Sequence, residues 1–319
     1  MPSFAIIPGR ALDRNDPVIP CLGLELMSNS GVYGIPGFDE DRLAFLDHAY
    51  KHGETSWDTS DKYGDSEDHL GTWIAENPEK RMNTFFATKF GMKSSTVEKK
   101  INIDSTPEYC HEAIESSLER LGFPYVYLFF VHSLDKVKSV GKKAQTMVEL
   151  KNASKIRYLG LSECSAESWR RAGRRARELG IAIVCYGPLG NGFVGGELRS
   201  CDDVTKPRDS RGVLPWLSGD NLDHNLGGFN RLSDFAEEKR ITMGQLALAW
   251  LLTQGDDIFL SRERLRLKEE KAIPKLSSSV VGGRFQNMTG YALAHTPKLP
   301  SIALYAIHVI ADTSNVFPQ

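Results

Sequence analysis

The sequence predicts an α/β protein built as a (β/α)8 barrel, and three observations carry that prediction. Short apolar runs rich in β-branched and aromatic residues alternate with longer amphipathic stretches, the pattern of parallel strands joined by helical crossovers. The runs are apolar throughout, as expected of strands covered on both faces. At 319 residues the chain has the length of a closed barrel, which is favoured over an open doubly wound sheet.

Taken in order, strands are expected at Thr55–Trp57, Thr84–Thr88, Val126–Val131, Ile156–Leu161 and Ile181–Tyr186. The helices between them carry their own start and stop signals. Asp39-Glu40-Asp41 opens a helix that runs to Lys51 and is closed by Gly53. Thr106-Pro107-Glu108 sets a capping hydroxyl before a proline and an acid in the first turn. Cys110, Ala113, Ile114, Ser117, Leu118 and Leu121 then follow at helical spacing, and Gly122 ends that helix. Ser165-Ala166-Glu167 opens another that ends at Gly180, and a more apolar helix spans Thr242 to about Leu252. After about Asp257 the texture changes: Ser261–Lys271 is highly charged, and Ser277-Ser278-Ser279 with Gly282-Gly283 reads as loop. The expectation is a single domain over 1–319, with the barrel over about 18–276 and a surface-wrapping tail over 277–319.

Charge and cysteine usage exclude several function classes. A net charge of -2 gives no basic field for nucleic acid. The densest basic stretch, Arg170, Arg171, Arg174, Arg175 and Arg177, reads as the solvated face of a helix, because no aromatic platform accompanies it. The five cysteines (Cys21, Cys110, Cys164, Cys185, Cys201) are odd in number and form no C-x-x-C pair. Reduced thiols fit that pattern better than a disulfide framework or a zinc site, so no metal is expected. The start lacks the basic and long apolar regions of a signal peptide, and no later run approaches bilayer length. The chain is expected to be cytoplasmic, with a small molecule rather than a membrane or nucleic acid as its partner.

Reactive groups in such barrels sit where strands end and loops begin. Thr55-Ser56-Trp57 runs into Asp58 and then Thr59-Ser60-Asp61-Lys62-Tyr63-Gly64; Phe85–Thr88 runs into Lys89; Tyr127–Val131 runs into His132. Successive strands thus offer Asp and Tyr, then Lys, then His. Reducing a carbonyl by hydride needs a proton donor at oxygen, and an unassisted phenol is a sluggish one. A neighbouring ammonium favours the phenolate, and a carboxylate fixes that ammonium. Tyr63 is then the acid, Lys89 its activator, Asp58 the partner of Lys89, and His132 the group that orients the carbonyl. His132 lacks the spaced partners of a metal ligand. Gly190-Asn191-Gly192-Phe193-Val194-Gly195 matches G-x-G-x-x-G, but no helix begins there and it lies late in the chain, so a dinucleotide-binding βαβ unit is rejected.

The ordered segments Asp58–Gly64, Ala87–Gly91, Ser116–Gly122, Val131-His132, Lys155–Glu163 and Tyr186–Gly190 resemble the signatures of the aldo-keto reductases. The likeness is strongest to the microbial and fungal branch of pyridoxal reductase-like enzymes, and it covers about Val18 to Leu299. It implies an eight-stranded barrel that binds NADP(H) across the strand ends and reduces an aldehyde or ketone, in secondary or vitamin B6 metabolism. It supports the same four catalytic positions. It further implies that Ser162 contacts the nicotinamide amide, that Tyr186 stacks on the ring, and that the loop Leu189, Gly190, Asn191, Gly192 to Gly196 lies along the pyrophosphate.

Three departures from the family stand out. Glu25 occupies a position where glycine is usual, so a carboxylate either crowds the cofactor or turns outward. Ser165–Arg177 leads almost directly to Ile181, which leaves no room for the sixth strand unit and its glutamine. Gln254–Phe259 resembles the eighth strand, but Leu260–Glu263 passes quickly to Lys268–Leu276, so part of the eighth unit is missing too. Arg262, Arg264 and Arg266 read as solvated helix charges, or as replacements for lost phosphate contacts. The expected barrel is therefore incomplete, with an open edge or a rearranged seam. A catalytically impaired barrel, acting as a cofactor sensor or interaction protein, is the alternative function. Tyr33, Trp57, Tyr63, Phe90 and Trp216 are expected to line an apolar pocket.

Overall fold

The computed structural model describes residues 7–12, 17–94, 101–133, 140–162, 182–196, 198–205, 209–214, 220–263 and 307–311. A hairpin of β1 (Gly9–Ala11) and β2 (Val18–Pro20) precedes the barrel. The barrel strands follow the apolar runs: β3 (Leu22–Glu25), β4 (Ser56–Asp58), β5 (Phe85–Phe90), β8 (Val126–Val131), β9 (Ile156–Leu161), β10 (Ala182–Tyr186) and β11 (Ile258–Glu263). Between β5 and β8 lies a second hairpin, β6 (Met92–Ser94) with β7 (Ile101–Ile103). These barrel strands are mutually parallel, and they curl into a closed barrel with an eighth strand, β12 (Ile307–Ala311).

The expected helices form with the expected ends. α1 (Asp39–Lys51) carries its acids in the first turn, where the helix dipole favours them, and Gly53 beyond it has φ +81°. α2 (Ser66–Glu76) follows β4. In α3 (Pro107–Leu121) the Thr106 hydroxyl accepts from the Tyr109 amide at 3.2 Å, and Gly122 ends the helix at φ +67°. The next three are α4 (Val140–Asn152), α5 (Asp220–Glu238) and α6 (Met243–Leu252), the last opened by a reciprocal Thr242–Gln245 cap.

Strand parity decides which side chains reach the barrel interior. Ser56, Asp58, Phe85, Ala87, Leu128, Phe130, Phe259 and Ser261 surround a cavity of about 30 Å³ inside the barrel. That is room for water but not for a substrate. Leu12 and Ile19 from the first hairpin pack into the same cluster and close its N-terminal end. Gly160 on β9 is required there, since a Cβ would stand 2.2 Å from the Phe130 ring. Trp57 and Phe90 alternate with these inward residues and point the other way. Trp57 is fully buried against Trp73 of α2, with ring centroids 4.6 Å apart, and Phe90 stacks on Phe129 at 4.8 Å. Both belong to the layer between barrel and helices, which corrects their assignment to the pocket; Trp216 lies outside the described residues.

The sixth position holds the main rearrangement. Between β9 and β10 the described residues contain no strand, as the short connection implied. Its place is taken by β12, antiparallel to both neighbours: Ala182–Cys185 pair with Ile310–Ile307, and Leu159–Leu161 pair with Ala311–Val309. The seam is thus rearranged rather than open. The barrel does not stop near residue 276, and residues 307–311 are a stave of it, not surface wrapping. The physical reason is that two strand edges bearing unpaired amides and carbonyls need a partner, and an apolar β-branched run satisfies both.

The charged stretch after Asp257 is likewise corrected at its start. Leu260–Glu263 extend β11 in register with Leu22–Glu25 of β3. Arg262 has no exposed surface and pairs with Glu54, so it is neither a solvated helix charge nor available to a phosphate. Arg264, Arg266 and Lys268–Leu276 lie outside the described residues. So do the helix expected over Ser165–Gly180, with its arginines, and Cys164. The remaining cysteines are free, with Cys21, Cys110 and Cys185 buried and Cys201 exposed.

Candidate active site

Three parallel strand ends bring together the groups expected to react. Asp58 ends β4, Lys89 is next to last in β5, and His132 follows β8. Tyr63 lies on the turn after β4, and that turn is laid across β5 by backbone bonds from Thr59 to Ala87 O (2.9 Å) and from Asp61 to Lys89 O (3.1 Å). Arg120 of α3 secures the far side of the turn, donating to Gly64 O at 2.6 Å and pairing with Glu67 and Asp68 of α2. Buried Glu67 also accepts the Thr88 hydroxyl at 2.6 Å, which ties α2 to β5. Segments far apart in sequence therefore fix one phenol.

Lys89 is 1% exposed; its ammonium forms an ion pair with Asp58 Oδ1 at 2.8 Å and donates to Thr59 O at 3.0 Å and to the Tyr63 oxygen at 3.1 Å. Asp58 Oδ2 accepts from Ser261 Oγ at 3.2 Å. Burial pushes the Asp58 carboxyl above the ordinary carboxylate range, and the Lys89 ammonium opposes that shift. His132 stands edge-on to Tyr63 with centroids 5.7 Å apart, its Nδ1 3.2 Å from Ser60 Oγ. Burial, reinforced by Lys89, lowers the imidazole to about 3, so His132 is neutral at physiological pH. All four predicted residues thus meet in one cluster.

Glu25 is the member that strand reading did not place there. It turns inward rather than outward, and it is 2% exposed. Its Oε1 accepts from the Tyr63 hydroxyl at 2.8 Å and stands 3.7 Å from Lys89 Nζ. Burial raises its carboxyl, while Lys89 pulls the other way. Parity with Gly23, which faces the interior two residues earlier, was the available signal. Ser60, Thr59 and Ser261 were also missed as supporting groups.

The residues expected to hold a cofactor lie on the adjoining strand ends. Ser162, directly after β9, is buried, and its Oγ has no hydrogen-bond partner among the described residues. Its amide donates to Val131 O at 2.9 Å, which places it beside the residue preceding His132. Tyr186 ends β10, half-buried. Leu189 is buried, and the turn beyond it carries Gly190, Asn191 and Gly192 at φ +57°, +54° and +89°. Gly190 and Gly192 adopt these left-handed φ values without strain and leave the turn with little side-chain bulk. A strap secures it: Asn191 Nδ2 donates to Tyr33 Oη at 2.9 Å, and Arg211, paired with Asp209, donates to Asn191 O at 3.2 Å. Among the described residues no cluster of His, Cys, Asp and Glu is suited to a metal ion, and no helix is long and apolar enough to cross a membrane.

Comparisons with known proteins identify the family and the fold. The model of the Aldo/keto reductase family matches residues 31–178 and 174–287. Aldo-keto reductase str7 of Strobilurus tenacellus is 33% identical, over 88% of this chain and 94% of its own. Aldo-keto reductase yakc [NADP(+)] of Schizosaccharomyces pombe is 36% identical, over 79% of this chain and 81% of its own. Among solved structures, the glycerol dehydrogenase AKR11B4 from Gluconobacter oxydans superposes with a TM-score of 0.70 at 23% identity, covering 93% of this chain and 98% of that one. At that identity the likeness speaks for the fold.

Proposed function

The chain belongs to the aldo/keto reductase family, and we propose that within it this protein reduces an aldehyde or ketone to the alcohol, with Tyr63 as proton donor and NADP(H) as cofactor. The observation that carries this reading is the Lys89 ammonium, held by Asp58 at 2.8 Å and donating to the Tyr63 oxygen at 3.1 Å. A positive charge at that distance stabilises the phenolate that proton transfer leaves behind. His132, neutral and engaged at Nδ1 by Ser60, has Nε2 left to orient the carbonyl oxygen.

The site suits a nicotinamide. Buried Ser162 Oγ lacks a partner, and a carboxamide is the kind of group that supplies one. Tyr186 offers a ring at the neighbouring strand end, and the turn through Leu189, Gly190, Asn191 and Gly192 offers the Asn191 and Gly192 amides to a pyrophosphate, that of Gly190 being bonded to Gly187 O. The printed name of the fission-yeast relative carries NADP(+), which supports that form of the cofactor. When bound, the cofactor supplies the hydride; the chain's own residues hold the carbonyl and deliver the proton.

Replacing Tyr63 by Phe tests the assignment. Carbonyl-dependent NADPH oxidation is expected to fall by about 10²- to 10⁴-fold, the usual contribution of a positioned acid, with NADPH quenching of tryptophan fluorescence retained. Turnover equal to wild type would remove Tyr63 from the role. A second reading, a cofactor sensor without turnover, is favoured by one observation: an antiparallel strand occupies the position from which the family's sixth unit contacts the nicotinamide. Saturable NADPH binding with no reduction across a panel of aldehydes and ketones would select it.

A further inference from the structure

The Tyr63–Glu25 contact has no part in the reaction as derived above, yet at 2.8 Å it is shorter than the 3.1 Å bond from Lys89 to the same phenol oxygen. The geometry of Glu25 is unfavourable for a permanent carboxylate. Oε2 is buried and has no hydrogen-bond partner among the described residues. Lys89 donates to Thr59 O and Tyr63 and stands 2.8 Å from Asp58, while Glu25 is 3.7 Å away. Once Tyr63 turns its hydroxyl hydrogen toward a carbonyl oxygen, Oε1 loses its donor as well. A buried anion without donors is strongly disfavoured. One ammonium thus faces two buried carboxylates, and Asp58 holds it more closely, at 2.8 Å against 3.7 Å, with Ser261 Oγ donating to its Oδ2, so Glu25 is the carboxyl left to carry a proton.

We propose that Glu25 is already protonated in the resting site at neutral pH, donates to the Tyr63 oxygen once Tyr63 turns its hydrogen toward a bound carbonyl, and replaces the proton that Tyr63 gives to the substrate. The proposal rests on the reductase reading above. A reduced nicotinamide passes hydride to the carbonyl carbon, and the carbonyl π bond breaks as the Tyr63 proton moves to the substrate oxygen. The Glu25 O–H bond then breaks, its proton passes to the phenolate oxygen, and Glu25 is left a carboxylate. The substrate gains two hydrogens, the nicotinamide is oxidised, and one proton taken from water after product release restores Glu25. The new negative charge at Glu25 coincides with the positive charge gained by the oxidised ring.

The charged and titratable groups around Glu25 are Lys89 on β5, Asp58 on β4, and Tyr63 with His132 beyond it; on β11, Glu263 is its register neighbour. Burial favours the protonated form and Lys89 opposes it, so Glu25 is expected to ionise above the ordinary carboxylate range. The wild-type rate should therefore fall as pH rises through that ionisation, a limb that Glu25→Gln should lack.

Infrared difference spectra of wild type against E25Q, without cofactor and at neutral pH, read the protonation directly. A protonated-carboxyl band present in wild type, absent in E25Q and lost as pH rises is expected; spectra without that band would overturn the proposal. Turnover of the holoenzyme reads the transfer. E25Q should slow it by about 100-fold or less, at the lower end of general-acid contributions, and flatten the alkaline limb. E25G, which restores the glycine usual in the family, checks that any loss is not misfolding. E25G as fast as wild type would also overturn the proposal. Wild type that shows the carboxyl band but reduces no carbonyl would count against the reductase reading and leave Glu25 protonation standing.

Discussion

The two sides of the barrel solve the same closure problem in different ways. From β3 to β9 each strand follows its predecessor in parallel, clamped by α1 to α4, and the reactive cluster sits on those strand ends. From β9 round to β11 the sheet relies on β12, which comes from more than 140 residues beyond β9 and runs antiparallel. On the first side, sequence order and spatial order coincide. On the second, which carries Ser162, Tyr186 and the glycine turn proposed to hold a cofactor, the edges are joined by a remote segment. The contrast is that the Asp58, Tyr63, Lys89 and His132 cluster sits on strands that pair in sequence order, with one distant support from Ser261, whereas β9 and β10 are joined only through the remote β12.

The harshest test of that contrast is removal of the chain from residue 307 onward. It strips pairing from β9 and β10 at once, so a stability loss of more than about 4 kcal/mol is expected, beyond the usual range of single substitutions. Thermal melts followed by circular dichroism measure it. Amide exchange should rise first along β10, and an unchanged melt would dissolve the distinction between the two sides.

Lys89→Met is expected to come next. It leaves Asp58 buried without its cation, a change worth about 3–5 kcal/mol in comparable cases, and it removes the charge beside Tyr63. Urea denaturation and carbonyl reduction should both report it, which places this effect wholly on the first side.

Ser162→Ala sharpens the other side and is the smallest effect. Its hydroxyl has no partner among the described residues, so stability should stay the same or rise slightly. NADPH affinity should weaken by about 0.5–1.5 kcal/mol, the net worth of one hydrogen bond, in a fluorescence titration. Loss of stability without loss of affinity would mean that the hydroxyl serves the fold instead.

What the sequence disclosed follows the same division. Asp58, Lys89 and His132 were legible because each ends an apolar run with a polar residue, and a local rule places such residues at the mouth. Trp57 and Phe90 were misplaced because composition was read without strand parity, which turns them toward the helices. The charged residues around Arg262 suggest a solvated helix charge or a phosphate contact; only the tertiary pairing with Glu54 shows it to be buried. The run Ile307-His308-Val309-Ile310-Ala311 has strand chemistry, but nothing local says which edges it joins, since that is set by barrel closure. Glu25 stood out as a departure from the family, and its inward direction required the β3 register.

The position of β12 also bears on how the protein is made. A ribosome adding about 5–20 residues per second needs roughly 7–30 s between finishing β9 and delivering its partner strand. Through that interval the nascent chain carries adhesive, half-paired edges on either side of a gap. The last stave of the cask arrives after most of its hoops are already in place, so this chain should lean on chaperones during synthesis more than a relative whose strands are made in the order they pair.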